Sequence, residues 1–183
     1  MSRLALLVSL AVLIGVTAAN PTGPAFAQDV SPAAGTASGM DVEQTRAVIE
    51  PYVAALGARE DVAPYLADDV VLTLVEVGQE IQGRDAVAGA IAELHQQTFD
   101  ARPEVINLIV GEGKAAGEFV FVGTHTGEFA GIPATGRSVR VPYTVFYDLA
   151  DGKITALRLQ GFASGLVAAI TADAMPAAGT PSA

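Results

Sequence analysis

The sequence predicts an α+β domain in which helices come first and an antiparallel sheet follows. Three observations carry that expectation. Between residues 41 and 99, apolar residues recur at helical spacing around one β-branched run. From Glu104 to Gln160 the pattern changes to strand-like alternation. A Gly- and Pro-bearing stretch from Gly123 to Arg137 then joins two strand segments, and Asp151-Gly152 supplies a tight hairpin turn. Helices followed by a run of strands make an α+β arrangement.

Asp41-Val42-Glu43-Gln44 reads as a capping box, with Asp41 as N-cap and Gln44 at N3. The helix it opens places Ile49, Tyr52, Val53 and Leu56 on one face, and Gly57 ends it. A shorter helix is expected around Asp61 to Leu66, with Pro64 near its first turn. Asp68-Asp69 punctuates the chain before a buried strand from Val70 to Val77. Gly78 and Gly83 bracket a short segment. Asp85 to Phe99 follows as a second long helix, with Val87, Ile91 and Leu94 inward. Strands are expected at Val105–Val110, Ala115–Thr126, Val139–Leu149 and Ile154–Gln160, with a turn at Gly111-Glu112-Gly113. Phe162 to Ala172 closes the domain as a helix.

A chain of 183 residues suits one domain with appendages. It has no cysteine, which removes disulfides and thiolate chemistry. Its two histidines are too few for a His-rich metal site, and no cofactor is expected. The formal charge is -10; residues 1–27 hold Arg3 and no acid, so a chain starting at Gln28 carries -11. Such a chain is repelled by nucleic acid and by anionic membrane surfaces. Arg3, the apolar run Leu4 to Val16, and Ala25-Phe26-Ala27 together read as an export signal cleaved before Gln28. An earlier cut after Thr17-Ala18-Ala19 and an uncleaved anchor are the alternatives. The apolar run falls short of the roughly 20 residues a span needs. The expected organisation is a signal peptide over 1–27, a flexible linker over 28–40, a domain over 41–172 and a disordered tail over 173–183. The expected location is secreted or periplasmic, without stable membrane insertion after cleavage.

The run Gly123-Thr124-His125-Thr126-Gly127-Glu128-Phe129-Ala130-Gly131-Ile132-Pro133-Ala134-Thr135-Gly136-Arg137, followed by Asp151-Gly152-Lys153-Ile154, resembles the SnoaL-like polyketide cyclase family of the NTF2-like superfamily. The resemblance implies a cone, in which a curved antiparallel sheet wraps the N-terminal helices and encloses a pocket. It also implies a small, largely apolar carbonyl or polyketide-like ligand, and cyclisation by an intramolecular aldol condensation. The family's aspartate acid/base would fall at Gly161 or Phe162, and its tryptophan near Arg158, so both are replaced here. The stretches Tyr52-Val53-Ala54-Ala55-Leu56 and Leu66-Ala67-Asp68-Asp69 are similar to the start of ketosteroid isomerases. There the tyrosine donates to an oxyanion. The isomerase base would fall near Leu74 and its second acid near Thr144 or Val145, where no carboxyl stands.

The candidate catalytic residues are therefore Tyr52, Glu76 and His125. Tyr52 is an oxyanion donor or a core phenol with a satisfied hydroxyl. Glu76 is a base on a buried strand face or a solvated carboxylate at the strand end. His125, on one strand face with Phe119 and Phe121, meets a carbonyl substrate or braces the following loop. Phe119, Phe121, Tyr143, Tyr147, Arg158 and Gln160 are the candidate ligand contacts. Residues 139–147 are apolar on both strand faces, so a homodimer through the outer sheet face is expected. The functional alternatives are an acid/base enzyme, a non-catalytic binder of a small apolar molecule, and a dimeric interaction module with a filled pocket.

Overall fold

The structure, a computed structural model, describes residues 39–172. The expected export signal, nearly all of the linker and the tail lie outside the described residues. Helix α1 (Val42–Ala58) opens with both capping-box bonds. The Asp41 carboxylate accepts from the Gln44 amide at 2.8 Å, and the Gln44 side chain accepts from the Asp41 amide at 2.9 Å. The helix ends one residue beyond Gly57, with Arg59 in the left-handed region at φ 62°.

The expected helix at Asp61–Leu66 is reduced to a single 3-10 turn, Ala63–Tyr65. Strand β1 (Leu66–Leu74) takes Leu66 instead, because that residue pairs with Ile154 across the sheet. Asp68 and Asp69 do not break the chain; they lie exposed where the β1 register shifts, between Leu66 and Val71. The strand stops at Leu74, and Val75 to Gly78 form the turn into β2 (Gln79–Gln82). Helix α2 (Arg84–Glu93) is shorter than expected, since residues Leu94–Thr98 widen into a π turn. Strands β3 (Phe99–Gly111), β4 (Lys114–His125), β5 (Ser138–Ala150) and β6 (Lys153–Gln160) follow, then helix α3 (Ala163–Thr171).

The strands form one six-stranded sheet in the order β2-β1-β6-β5-β4-β3, curved and unclosed. All pairs are antiparallel except β1 with β6, which run parallel. The expected curved antiparallel sheet thus includes one parallel pair, whose strands meet through the whole intervening chain and not through a hairpin.

Alternation fixes the two faces. Val139, Val141, Tyr143, Val145, Tyr147 and Leu149 of β5 are buried against the helices, while Arg140, Pro142 and Phe146 are exposed on the outside. A bulge then reverses the expectation for β6. Asp148 pairs with Ala156 but Leu149 pairs with Ile154, so Thr155 is the extra residue. Ile154 points inward and is fully buried, whereas Ala156, Arg158 and Gln160 take the outer face.

Candidate functional site

The inner face carries two groups of aromatic side chains. Tyr52 of α1 is 2% exposed and meets Tyr147 edge-on at 5.8 Å and Tyr65 at 6.2 Å. Phe119 stacks on Tyr143 at 5.4 Å. Phe162, just before α3, packs on Tyr143 at 4.7 Å and on Phe121 at 5.3 Å. Burial pushes the Tyr52, Tyr143 and Tyr147 phenols above their ordinary range, so all three stay protonated at neutral pH. These side chains spend their surface on one another. Each such ring contributes about 1.5–3 kcal/mol by burial, which makes the two groups a core before they are anything else.

The expected acid/base groups separate. Glu76 lies in the exposed turn after β1, and its carboxylate accepts from the backbone amides of Ala163 at 2.6 Å and Ser164 at 3.3 Å. It therefore caps α3 and does not enter the interior, because β1 ends before Glu76 and alternation no longer applies. His125 is fully buried. Its Nδ1 accepts from the Thr135 amide at 3.2 Å and lies 3.0 Å from the Thr135 hydroxyl. Its own amide donates to Arg137 at 2.9 Å, and its carbonyl accepts from Gly136 at 3.0 Å. His125 braces the 126–137 loop from beneath. Arg158 and Gln160 sit outside, opposite Phe146 and Thr144, so they do not reach the interior. Arg158 instead pairs with Asp148, whose carboxyl it holds down at about 2, with Lys114 adding to the effect.

A recess lies elsewhere, among the helices. It opens between the end of α1, the 3-10 turn and α2, with a volume of about 230 Å³. Leu56, Val62, Ala88, Ile91 and Ala92 supply apolar walls, and Arg59, Glu60, Asp61, His95 and Gln96 supply its polar lining. Arg59 is already engaged, donating to the Ala101 carbonyl at 3.2 Å and pairing with Asp100. His95 is 6% exposed, stands edge-on to Phe121 at 5.1 Å, and donates Nδ1–H to the Ile91 carbonyl at 2.9 Å. Among the described residues its Nε2 has no partner. Burial, helped by the positive Arg59, holds the imidazole below its ordinary pKa and therefore neutral. Sequence reasoning passed over His95. The signal was present: it stands four residues after Ile91 and eight after Val87, on the buried stripe of the helix. Among the described residues, no group of three or more acidic or histidine side chains is placed to hold a metal ion.

Three helices against a curved, open six-stranded sheet, with a recess between the helices, define an NTF2-like protein. A family model described as SnoaL-like polyketide cyclase matches residues 47–161, well over half the chain, and the chain belongs to that family. Solved structures agree on the fold. A protein from Jannaschia sp. CCS1 named as a SnoaL-like polyketide cyclase superposes with TM-score 0.64 at 20% identity, covering 80% of this chain and 99% of its own. One from Silicibacter sp. TM1040, named as a polyketide cyclase, gives 0.60 at 24% identity over 73% and 99%. A protein from Kribbella flavida named as a ketosteroid isomerase gives 0.52 at 24% identity over 66% and 79%. No curated protein matches the sequence.

Proposed function

We propose that this protein is an exported SnoaL-like domain that binds a small, largely apolar molecule without performing the family's aldol cyclisation. One observation carries the reading. Phe162, at a position where the resemblance calls for a catalytic aspartate, is 4% exposed and wedged against Tyr143 and Phe121. Aldol closure begins with removal of an acidic C–H proton, which needs a base beside the substrate. Glu76, the substitute carboxylate, is occupied at the α3 terminus. A concave recess that combines apolar walls with polar groups, as between α1 and α2, is the usual form of a small-molecule site.

Native mass spectrometry of protein purified from its own host tests the reading. A retained small molecule is expected. Ligand-free protein, together with no thermal shift across a panel of apolar carbonyl and hydroxyl compounds, would refute it. The export component is tested by N-terminal sequencing, which should begin at Gln28; intact Met1 in a membrane fraction would overturn it. A homodimer through the outer face belongs to the same proposal. It is supported by the row Phe146, Ala116 and Ile109, in which Phe146 is 40% and Ile109 63% exposed. Light scattering that returns a monomer mass at micromolar protein ends that component.

A further inference from the structure

Two buried histidines stand on the two sides of one backbone junction. The loop after β4 is clasped to the π turn Leu94–Thr98. The Thr98 carbonyl accepts from the amides of Thr126 at 3.0 Å and Gly127 at 2.8 Å, and the Thr126 hydroxyl donates to the Gln97 carbonyl at 3.1 Å. The approach needs glycine, since a Cβ at residue 127 would lie 2.7 Å from the Gln97 carbonyl oxygen. His95 belongs to the π turn and His125 immediately precedes Thr126, so each side of the clasp carries one imidazole. A chain of rings links the two: His95 meets Phe121 at 5.1 Å, Phe121 meets Phe99 at 5.4 Å, and Phe99 meets His125 at 4.9 Å. Both histidines are buried.

The two neutral rings are opposite tautomers. A carbonyl oxygen only accepts, so the 2.9 Å contact with Ile91 puts the His95 proton on Nδ1 and its lone pair on Nε2. An amide only donates, so the 3.2 Å contact from Thr135 puts the His125 lone pair on Nδ1 and its proton on Nε2. Among the described residues neither Nε2 has a partner. A second proton therefore enters each ring at a costly place. At His95 it makes a buried cation whose new N–H has no acceptor. At His125 it occupies Nδ1 and displaces the Thr135 amide, the bond that gathers the end of the loop. The Thr135 hydroxyl, 3.0 Å away, can turn to accept, but the amide is still left without its partner.

No carboxylate among the described residues is paired with either imidazole. Glu60, Asp61, Glu93 and Glu128, on the elements around the junction, are exposed to water, and Asp100 is paired with Arg59. Arg59, beside His95, adds repulsion. Arg137 offers His125 its backbone carbonyl. Arg102 on β3 and Arg140 on β5 lie exposed, Arg140 in a pair with Glu104.

We infer that the junction between the π turn and the 126–137 loop is an acid-released latch: protonation of His95 and His125 opens this end of the domain while the rest of the sheet stays folded. A neutral imidazole is tolerated inside and a charged one is stable only in water, so each histidine takes up its second proton on opening. The closed state is fully favoured above the ordinary histidine value of about 6.5 and loses ground as pH falls below it. The release is local because β3 is an edge strand, and the bonds of Phe129 with Ile132 and of Gly136 with His125 stay within the β4–loop segment. Opening bares Phe99, on which Phe129 of the loop packs at 5.4 Å, and so gives entry to the aromatic interior. The inference goes beyond the binding reading and does not depend on it.

Amide hydrogen exchange between pH 7.5 and 5, corrected for the intrinsic pH dependence of exchange, tests the latch. The amides of His125, Thr126 and Gly127 should lose protection by up to about thirtyfold per histidine at pH 5, as an open-state value near 6.5 allows. The Leu149 amide, bonded to Gly113 at 2.8 Å at the far end of the sheet, should change far less. His95→Phe puts a ring that takes no proton beside Phe121, and His125→Asn keeps an acceptor near the Thr135 amide; each should remove about half of the response on a logarithmic scale. Imidazole spectra of the wild-type protein need no variant: both histidines should stay neutral until protection at 126–127 falls, and then titrate with it. Protection at 126–127 that is indifferent to pH overturns the latch, and so does a loss that runs in step with Leu149, which is global unfolding. Imidazoles that charge near 6.5 with the clasp intact, or variants that keep the full wild-type response, overturn the role of the histidines.

Discussion

Glu76→Ala should destabilise the domain by about 1–2 kcal/mol without touching ligand binding. The carboxylate accepts two backbone amides at the start of α3, from Ala163 at 2.6 Å and Ser164 at 3.3 Å. Neither amide has a helical partner, because the first N–H groups of any helix are orphans. Removing a cap costs about 0.5–2 kcal/mol, and a negative charge at a helix N-terminus is worth about 0.3–1 kcal/mol more. The helix is 9 residues long and holds itself down through Leu166 and Ile170, so a loosened first turn weakens its seat on β5. Glu76→Gln keeps an acceptor and loses the charge, so it should cost about 0.5 kcal/mol. Urea unfolding at pH 7 measures both. With a slope of about 2 kcal/mol/M, within the usual 1–3, the alanine variant should shift the midpoint by roughly 0.5–1 M at constant slope. An alanine variant with the wild-type midpoint refutes the capping argument. Lost ligand binding at unchanged stability would instead restore Glu76 as an interior base.

Gly123→Ala should cost at least about 2 kcal/mol in a thermal or urea melt, because its Cβ would lie 2.3 Å from the Ala101 Cβ and 2.4 Å from the Asp100 carbonyl; a near-neutral outcome means β3 and β4 can part there freely. Burial lowers the pKa of both His95 and His125, so the unfolded chain takes up protons near 6.5 that the folded imidazoles refuse. Stability should therefore fall as pH drops below about 6.5, by up to about 1.4 kcal/mol per unit for each histidine. The slope should flatten in His95→Phe, and a flat profile between pH 7 and 5 contradicts the argument. Asp148, held at about 2 against an ordinary 3.8, contributes stability above 3.8 that is lost as pH falls towards 2. With Lys114 and Arg158 partly in solvent, the effect stays below about 2 kcal/mol and shrinks in salt. Asp148→Asn should remove that acid-window loss, and an unchanged acid transition rejects it.

Local chemistry in the sequence determined the family and most of the elements. The capping box at Asp41, the apolar stripe through Ile49, Tyr52, Val53 and Leu56, and the alternation along β5 each depend on neighbours within a few residues. The run from Gly123 to Arg137 was legible because its bracing lies inside the run: His125 holds Thr135, Gly136 and Arg137, ten to twelve residues on. What the sequence could not determine were relations that only distant contacts decide. Leu66 joined a strand because Ile154 lies beside it. The single bulge at Thr155 sent Arg158 and Gln160 to the outer face, since strand alternation has period two and one extra residue inverts it. Glu76 became a helix cap because α3, nearly ninety residues later, returns its amides to that turn. His95 was hidden as one more residue on a helical stripe. Only the packing of α1 and α2 around it set its tautomer, left Nε2 without a partner and opened a recess at its side.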